Sequence, residues 1–127
     1  MKILLVEDDN DLRDYYTIML EYAGYTVETA PDGMTALARL HDDASLIMLV
    51  DWYLPDMTGG QLVSAIRTLN QETAIIMMSY WDVDVAVVKG CEANAWYQKQ
   101  EDIQILMGLV ASMSAYYGKT SHTPALQ

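Results

Sequence analysis

Apolar residues in this chain fall into short unbroken runs and helically spaced stripes, and the two alternate. Lys2-Ile-Leu-Leu-Val6 is the first run, stopped by Glu7-Asp8-Asp9-Asn10-Asp11. Leu46 to Val50 ends in Asp51, and Ala74 to Met78 ends in Ser79. A short run that is apolar at both odd and even positions predicts a strand buried on both faces. Tyr25 to Ala30 alternates more weakly as another strand, and Ala95 to Gln98 is a fifth, ending in Lys99. Between them, Leu12, Tyr15, Tyr16, Met19, Leu20 and Ala23 recur at helical spacing, as do Ala36, Leu37 and Leu40, then Leu62, Ala65, Ile66 and Leu69. A fourth helix is expected from about Asp82 to Cys91, with Val83, Ala86 and Val87 inward and Val85 and Val88 outside that stripe. The last helix is expected to run to about Tyr117. Asp9 or Asn10 caps the first helix, Gly24 ends it, and Asp102 caps the last. His41-Asp42-Asp43 and the segment from Asp56 to Gly60 are expected to be loops, the latter flexible.

Strands alternating with helices call for a parallel sheet covered on both faces. The expected fold is therefore α/β, a flavodoxin-like (βα)5 three-layer sandwich with strand order 2-1-3-4-5. At 127 residues the chain is one domain, expected over 1–117, with 118–127 a polar tail or the start of a linker. Asp51 alone would read as a turn residue after a strand. The strand order changes that, because strands 1, 3, 4 and 5 become neighbours. Their carboxyl ends then bring Glu7, Asp8, Asp51, Ser79 and Lys99 to one edge.

Charge narrows the chemistry. A net charge of −11 with no basic stripe argues against binding nucleic acid or an anionic membrane. No apolar run reaches the roughly 18–20 residues of a membrane span, and Met1-Lys2 opens directly into a strand with no secretory-leader pattern. Cys91 is the single cysteine, so no internal disulfide forms and a reducing cytoplasm is the expected location. Three carboxylates held together repel one another unless a cation neutralises them. Hard oxygen donors without nearby His or Cys suit Mg²⁺ better than zinc. A cation there would let Asp51 attack phosphorus, with Lys99 and Ser79 offering a charge and a hydroxyl to the phosphoryl oxygens.

Ile3-Leu4-Leu5-Val6-Glu7-Asp8-Asp9, Val50-Asp51-Trp52-Tyr53-Leu54-Pro55 with Gly59, Met78-Ser79 and Lys99 together resemble the receiver domain of two-component response regulators. The likeness covers residues 2 to about 117. It implies that Asp51 is the phosphoacceptor, Asp8 a direct Mg²⁺ ligand, Glu7 a ligand through water, and Tyr53 a ligand through its backbone carbonyl. It also implies that Ser79 and Trp96 form a switch, that Lys99 contacts the phosphoryl group, and that Asp9 is a cap rather than a ligand. The implied donor is a histidine kinase or phosphotransfer protein. The chain would then be a signalling domain whose only catalysis is its own phosphorylation and dephosphorylation. Its output face would be helix 4, strand 5 and helix 5. The last helix is apolar nearly all round, so a homodimer or a partner is expected on that face.

Three departures from the family pattern stand out. Gln100 follows Lys99 where the family has proline after a cis peptide, so a trans bond is expected here and the position of Lys99 is in question. Glu92 stands where a turn glycine is usual, so either Glu92 takes a left-handed backbone or the turn is rebuilt around Gly90. Trp52, Tyr53, Tyr80 and Trp81 make an aromatic rim that either packs on itself or restricts water and prolongs the life of a phosphoryl group. Rival readings fare worse. A haloacid-dehalogenase-type hydrolase needs a second acid at position 53, and a flavin binder would meet Glu7-Asp8-Asp9 at its phosphate loop. The alternative that remains is a degenerate receiver acting as a phosphorylation-independent interaction module.

Overall fold

The computed structural model describes residues 2–40, 46–69, 72–80 and 85–122. The expected 41–43 loop, Trp81, Val83 and the last residues of the tail lie outside them, as do the side chains of Val85 and Ala86. The apolar runs form β1 (Lys2–Val6), β3 (Leu46–Asp51) and β4 (Ala74–Ser79), flanked by β2 (Thr26–Ala30) and β5 (Ala95–Gln98). All pair in parallel in the order β2-β1-β3-β4-β5, as the alternation predicted. Between the strands lie α1 (Asn10–Tyr22), α2 (Gly33–Leu40), α3 (Gly59–Leu69) and α4 (Val85–Lys89), and α5 (Ile103–His122) follows β5.

Successive strand residues face opposite sides of a sheet, and here both sides are covered. Leu4, Val6, Met48, Val50, Ile75 and Met77 pack with residues of α2, α3 and α4. Ile3, Leu5, Ile47, Leu49, Ile76 and Met78 pack with Tyr16 and Leu20 of α1 and Leu106 and Val110 of α5. That is why the runs carry no polar alternation.

The helix ends follow local chemistry. Asp9 sits in extended backbone and accepts from the Asp11 and Leu12 N–H groups, which makes it the cap of α1. Gly24, at φ 101°, ends that helix in a conformation costly for any side chain. Asp102 accepts from the Gln104 N–H at the start of α5. The 56–60 segment is held rather than loose. Thr58 and Gln61 satisfy each other's backbone N–H reciprocally at the start of α3, and the Asp56 carboxylate accepts from Gly33 and Met34 at the start of α2.

Several helix faces differ from expectation. In α4, Val88 is 3% exposed and Val87 54%, the reverse of the predicted phase. Adjacent valines differ only in phase, and periodicity alone does not set the rotation of the helix over its described residues Val85–Lys89. In α3, Val63 and Arg67 are buried while Leu69 is exposed; in α1, Tyr15 is exposed and rests against Tyr16. The last helix continues to His122, beyond the expected end at Tyr117.

Arg67 explains the Glu92 turn. Its guanidinium donates to the carbonyls of Thr73 (2.7 Å) and Glu92 (3.0 Å) and to the Asn94 side chain (2.9 Å). Asn94 Oδ1 also accepts from the Ile75 N–H. Neither Glu92 nor Gly90 takes a positive φ. The turn is held by a buried cation on α3 instead of by a left-handed residue.

Candidate functional site

The site forms where the chain leaves β1, β3, β4 and β5. The Glu7 N–H donates to the Ala30 carbonyl at 3.0 Å, continuing the pairing of β1 one residue beyond its end. The Glu7 side chain is buried, its Oε2 accepting from the Asp9 N–H at 3.2 Å. Arg13, one turn into α1, donates to the Glu7 carbonyl at 2.9 Å. Asp51 closes β3 opposite Met78 and is also buried. The Trp52 N–H then bonds the Met78 carbonyl at 2.8 Å, and the Tyr53 N–H bonds the Asp51 carboxylate. Gly59 lets α3 start against this turn. A Cβ there would stand 2.6 Å from the Asp51 carbonyl oxygen and 3.0 Å from Trp52 Cα, and its N–H donates to the Trp52 carbonyl at 2.7 Å.

Lys99 reaches the same place from β5. Its N–H donates to the Ser79 carbonyl at 2.8 Å, and its Nζ lies 2.7 Å from Glu7 Oε1 and 2.9 Å from Asp51 Oδ1. The absence of proline at position 100 does not displace it. The peptide after Lys99 is trans, as expected, and Glu101 secures the turn. The Glu101 side chain accepts from the Gln98 N–H (3.1 Å), its N–H donates to the Gln98 carbonyl (2.9 Å), and its carbonyl accepts from the Tyr97 hydroxyl (2.7 Å).

Burial pushes the Glu7 carboxyl up to about 7, against the pull of the Lys99 hydrogen bond and with help from the charge of Asp51. Burial likewise raises Asp51, opposed by the charge of Lys99. For Lys99 burial acts downward, but the hydrogen bond to Glu7 and the charge of Asp51 outweigh it and raise the ammonium. One ammonium therefore serves two buried carboxylates, and Asp8 adds a third at the exposed edge. Oxygens of Glu7, Asp8 and Asp51 lie within 4.8 Å of one another. All three donors are hard carboxylate oxygens with excess negative charge, and that set fits Mg²⁺.

Ser79 is buried at the end of β4, next to the register partner of Asp51. Trp96, half-buried on β5, donates its indole N–H to the Val88 carbonyl at 3.1 Å. Of the four aromatic residues expected at the rim, Trp81 lies outside the described residues, and the other three differ in burial. Trp52 packs into the core beside α3, while Tyr53 and Tyr80 are exposed. Sequence reasoning missed the contact of Arg13 with Glu7, the direct pairing of Lys99 with Glu7, and the contact of Tyr80 with Lys99. No local pattern announces any of them.

The response regulator receiver domain profile matches residues 3–110. The chain belongs to this family. The transcriptional regulatory protein HprR of Escherichia coli is 38% identical to this receiver over 96 residues, 75% of the chain and 42% of HprR. The receiver thus spans less than half the length of that relative. A CheY-like receiver domain protein from Methanospirillum hungatei superposes with a TM-score of 0.84 at 26% identity, covering 94% of this chain and 97% of the other. TrrA of Thermotoga maritima was solved with Mg²⁺–BeF and in complex with the histidine kinase ThkA. It shares the fold at TM-scores of 0.81 and 0.76 and 22% identity, covering 87% of this receiver and 96% of TrrA.

Proposed function

We propose that this receiver, over residues 1–117, takes a phosphoryl group onto Asp51 from a phosphohistidine of a histidine kinase or phosphotransfer protein. The observation that carries the reading is the buried Glu7–Lys99–Asp51 group with Asp8 at its open edge. An Asp51 oxygen attacks phosphorus, the O–P bond forms as the N–P bond breaks, and the electron pair returns to the donor's imidazole nitrogen. Asp8, Glu7, Asp51 and the Tyr53 carbonyl would hold Mg²⁺, which supplies positive charge to the phosphoryl oxygens when bound. Lys99 offers its ammonium to the same oxygens, and Ser79 its hydroxyl.

The added charge biases a switch. Ser79 moves toward the phosphoryl group and Trp96 turns inward, giving up its bond to the Val88 carbonyl. A few kcal/mol of differential interaction suffice to shift such an equilibrium. The outward result is a change on the α4–β5–α5 face, where Val87, Ile105 and Tyr116 are exposed. A second copy of the chain docks on that face, and an output domain or partner reads it. Residues 118–127, the first five of which continue α5, serve as a tail or the start of a linker. No helix among the described residues is long and apolar enough to cross a membrane. A phosphohistidine donor of this kind would meet the domain in the cytoplasm.

Incubation with Mg²⁺ and acetyl phosphate should add one phosphoryl mass to the wild type and none to Asp51→Asn. Label retained on the variant, or absent from both proteins, refutes the assignment; absence from both favours the phosphorylation-independent module. Sedimentation of the same samples reads the surface. A single monomer boundary in both states at high concentration removes the homodimer.

A further inference from the structure

Lys99 reaches into the site on a long side chain whose ammonium is held by the two carboxylates of the site itself. The residue after Lys99 is an exposed glutamine on a trans peptide, and the Lys99 backbone N–H donates to the Ser79 carbonyl. Four methylenes separate that anchor from the ammonium, and such a chain has much rotamer freedom to lose. Yet Lys99 Nζ is buried between Glu7 and Asp51. Those two carboxylates are also the groups that a cation and a phosphoryl group would engage, so their hold on the ammonium weakens when the site is occupied.

The third contact does not compete. Lys99 Nζ lies 4.9 Å from the ring centroid of Tyr80, within the range where an ammonium is attracted to an aromatic face. Tyr80 follows Ser79 directly, so the backbone that binds the Lys99 N–H also carries the ring that meets its Nζ. Tyr80 is 38% exposed, and its ring face offers no oxygen to a metal.

We propose that Tyr80 is a positioning residue for Lys99, its ring face holding the ammonium over the acceptor site while Glu7 and Asp51 turn to their ligands. This rests on the phosphoacceptor reading above and adds to it a named source of preorganisation. It also gives Tyr80 a role distinct from shielding the site from water. A shield works by bulk, so leucine would replace it; a cation platform works by its π face, so only another aromatic ring will.

The test uses Tyr80→Phe, Tyr80→Leu and Tyr80→Ala with two readouts. The first needs no phosphoryl chemistry: the NMR shift of the Lys99 ε-methylene protons in metal-free protein, displaced upfield by a ring beneath them. Phe should keep that displacement, while Leu and Ala lose it. The second is affinity for beryllofluoride at saturating Mg²⁺. Leu and Ala should bind roughly tenfold more weakly than wild type and Phe about equally. Mg²⁺ affinity, to which Lys99 is not a ligand, should stay within about twofold in all variants.

A Leu variant that binds beryllofluoride like wild type overturns the proposal in favour of a bulk shield. A loss in Phe overturns it in favour of the hydroxyl, and tighter binding in Ala overturns it in favour of steric obstruction. Unfolding is separated by the Mg²⁺ measurement on the same samples. No beryllofluoride binding by wild type refutes the phosphoacceptor reading instead, and the Lys99 shift still decides whether the ring holds the ammonium.

Discussion

Glu7 is the residue whose ionisation most directly governs this site. It titrates at its ordinary value of 4.5 when the chain is unfolded, but burial holds it near 7 in the fold. Between those values the folded protein keeps a proton that the unfolded chain has released, so metal-free stability falls as pH rises through that window. Urea denaturation of wild type and Glu7→Gln at pH 5 and pH 8 should show a shallower decline in the variant. Equal slopes would mean that Glu7 ionises as easily inside the fold as outside it. Three groups of the cluster were legible because each is the first polar residue after an apolar run: Glu7 after Val6, Asp51 after Val50, Ser79 after Met78. What joins them was not. The Lys99–Glu7 pair connects residues 92 positions apart, and the Arg13 contact with the Glu7 carbonyl has no side-chain signature.

Among the elements, strands were read correctly and helix faces less so, and the reason is the number of constraints on each. A strand buried on both faces needs only a run of apolar residues. A helix needs a phase, and α4 has too few turns to declare one. The valine stripe put Val87 inward and Val88 outside it, whereas Val88 is the buried one and its carbonyl accepts from Trp96. Arg67 was invisible for the opposite reason, since a cation on α3 reads as solvent-facing until its partners are known. It connects α3, the start of β4 and the turn before β5 through three acceptors. Arg67→Met keeps the stem and removes the donors, leaving the Thr73 and Glu92 carbonyls without them. The cost should be about 2–3 kcal/mol. It should appear as a lower urea midpoint at unchanged slope, and a midpoint within about 0.5 kcal/mol of wild type would show that water replaces the guanidinium freely.

At the scale of the whole molecule, the site and the fold are coupled by topology. Glu7 and Asp8 follow the first strand, Asp51 ends the third and Lys99 follows the last, so a ligand on this group bridges segments from both ends of the domain. Unfolding any of those strands destroys the site, and a ligand that requires it therefore stabilises the entire cooperative unit. Mg²⁺ at a hundredfold excess over its dissociation constant should raise the unfolding free energy by about 2.7 kcal/mol. The net charge of −11 offers a competing explanation, because any added salt relieves self-repulsion. The two separate cleanly. Screening acts at matched ionic strength with NaCl and survives substitution of a single acid, whereas site binding does neither. Thermal or urea unfolding of wild type and Asp8→Asn, in MgCl2 and in NaCl of equal ionic strength, should show the increment only in wild type with Mg²⁺. An equal gain in the variant would assign the effect to diffuse charge. It would leave the three clustered carboxylates, two of them buried, with Lys99 as their counter-charge.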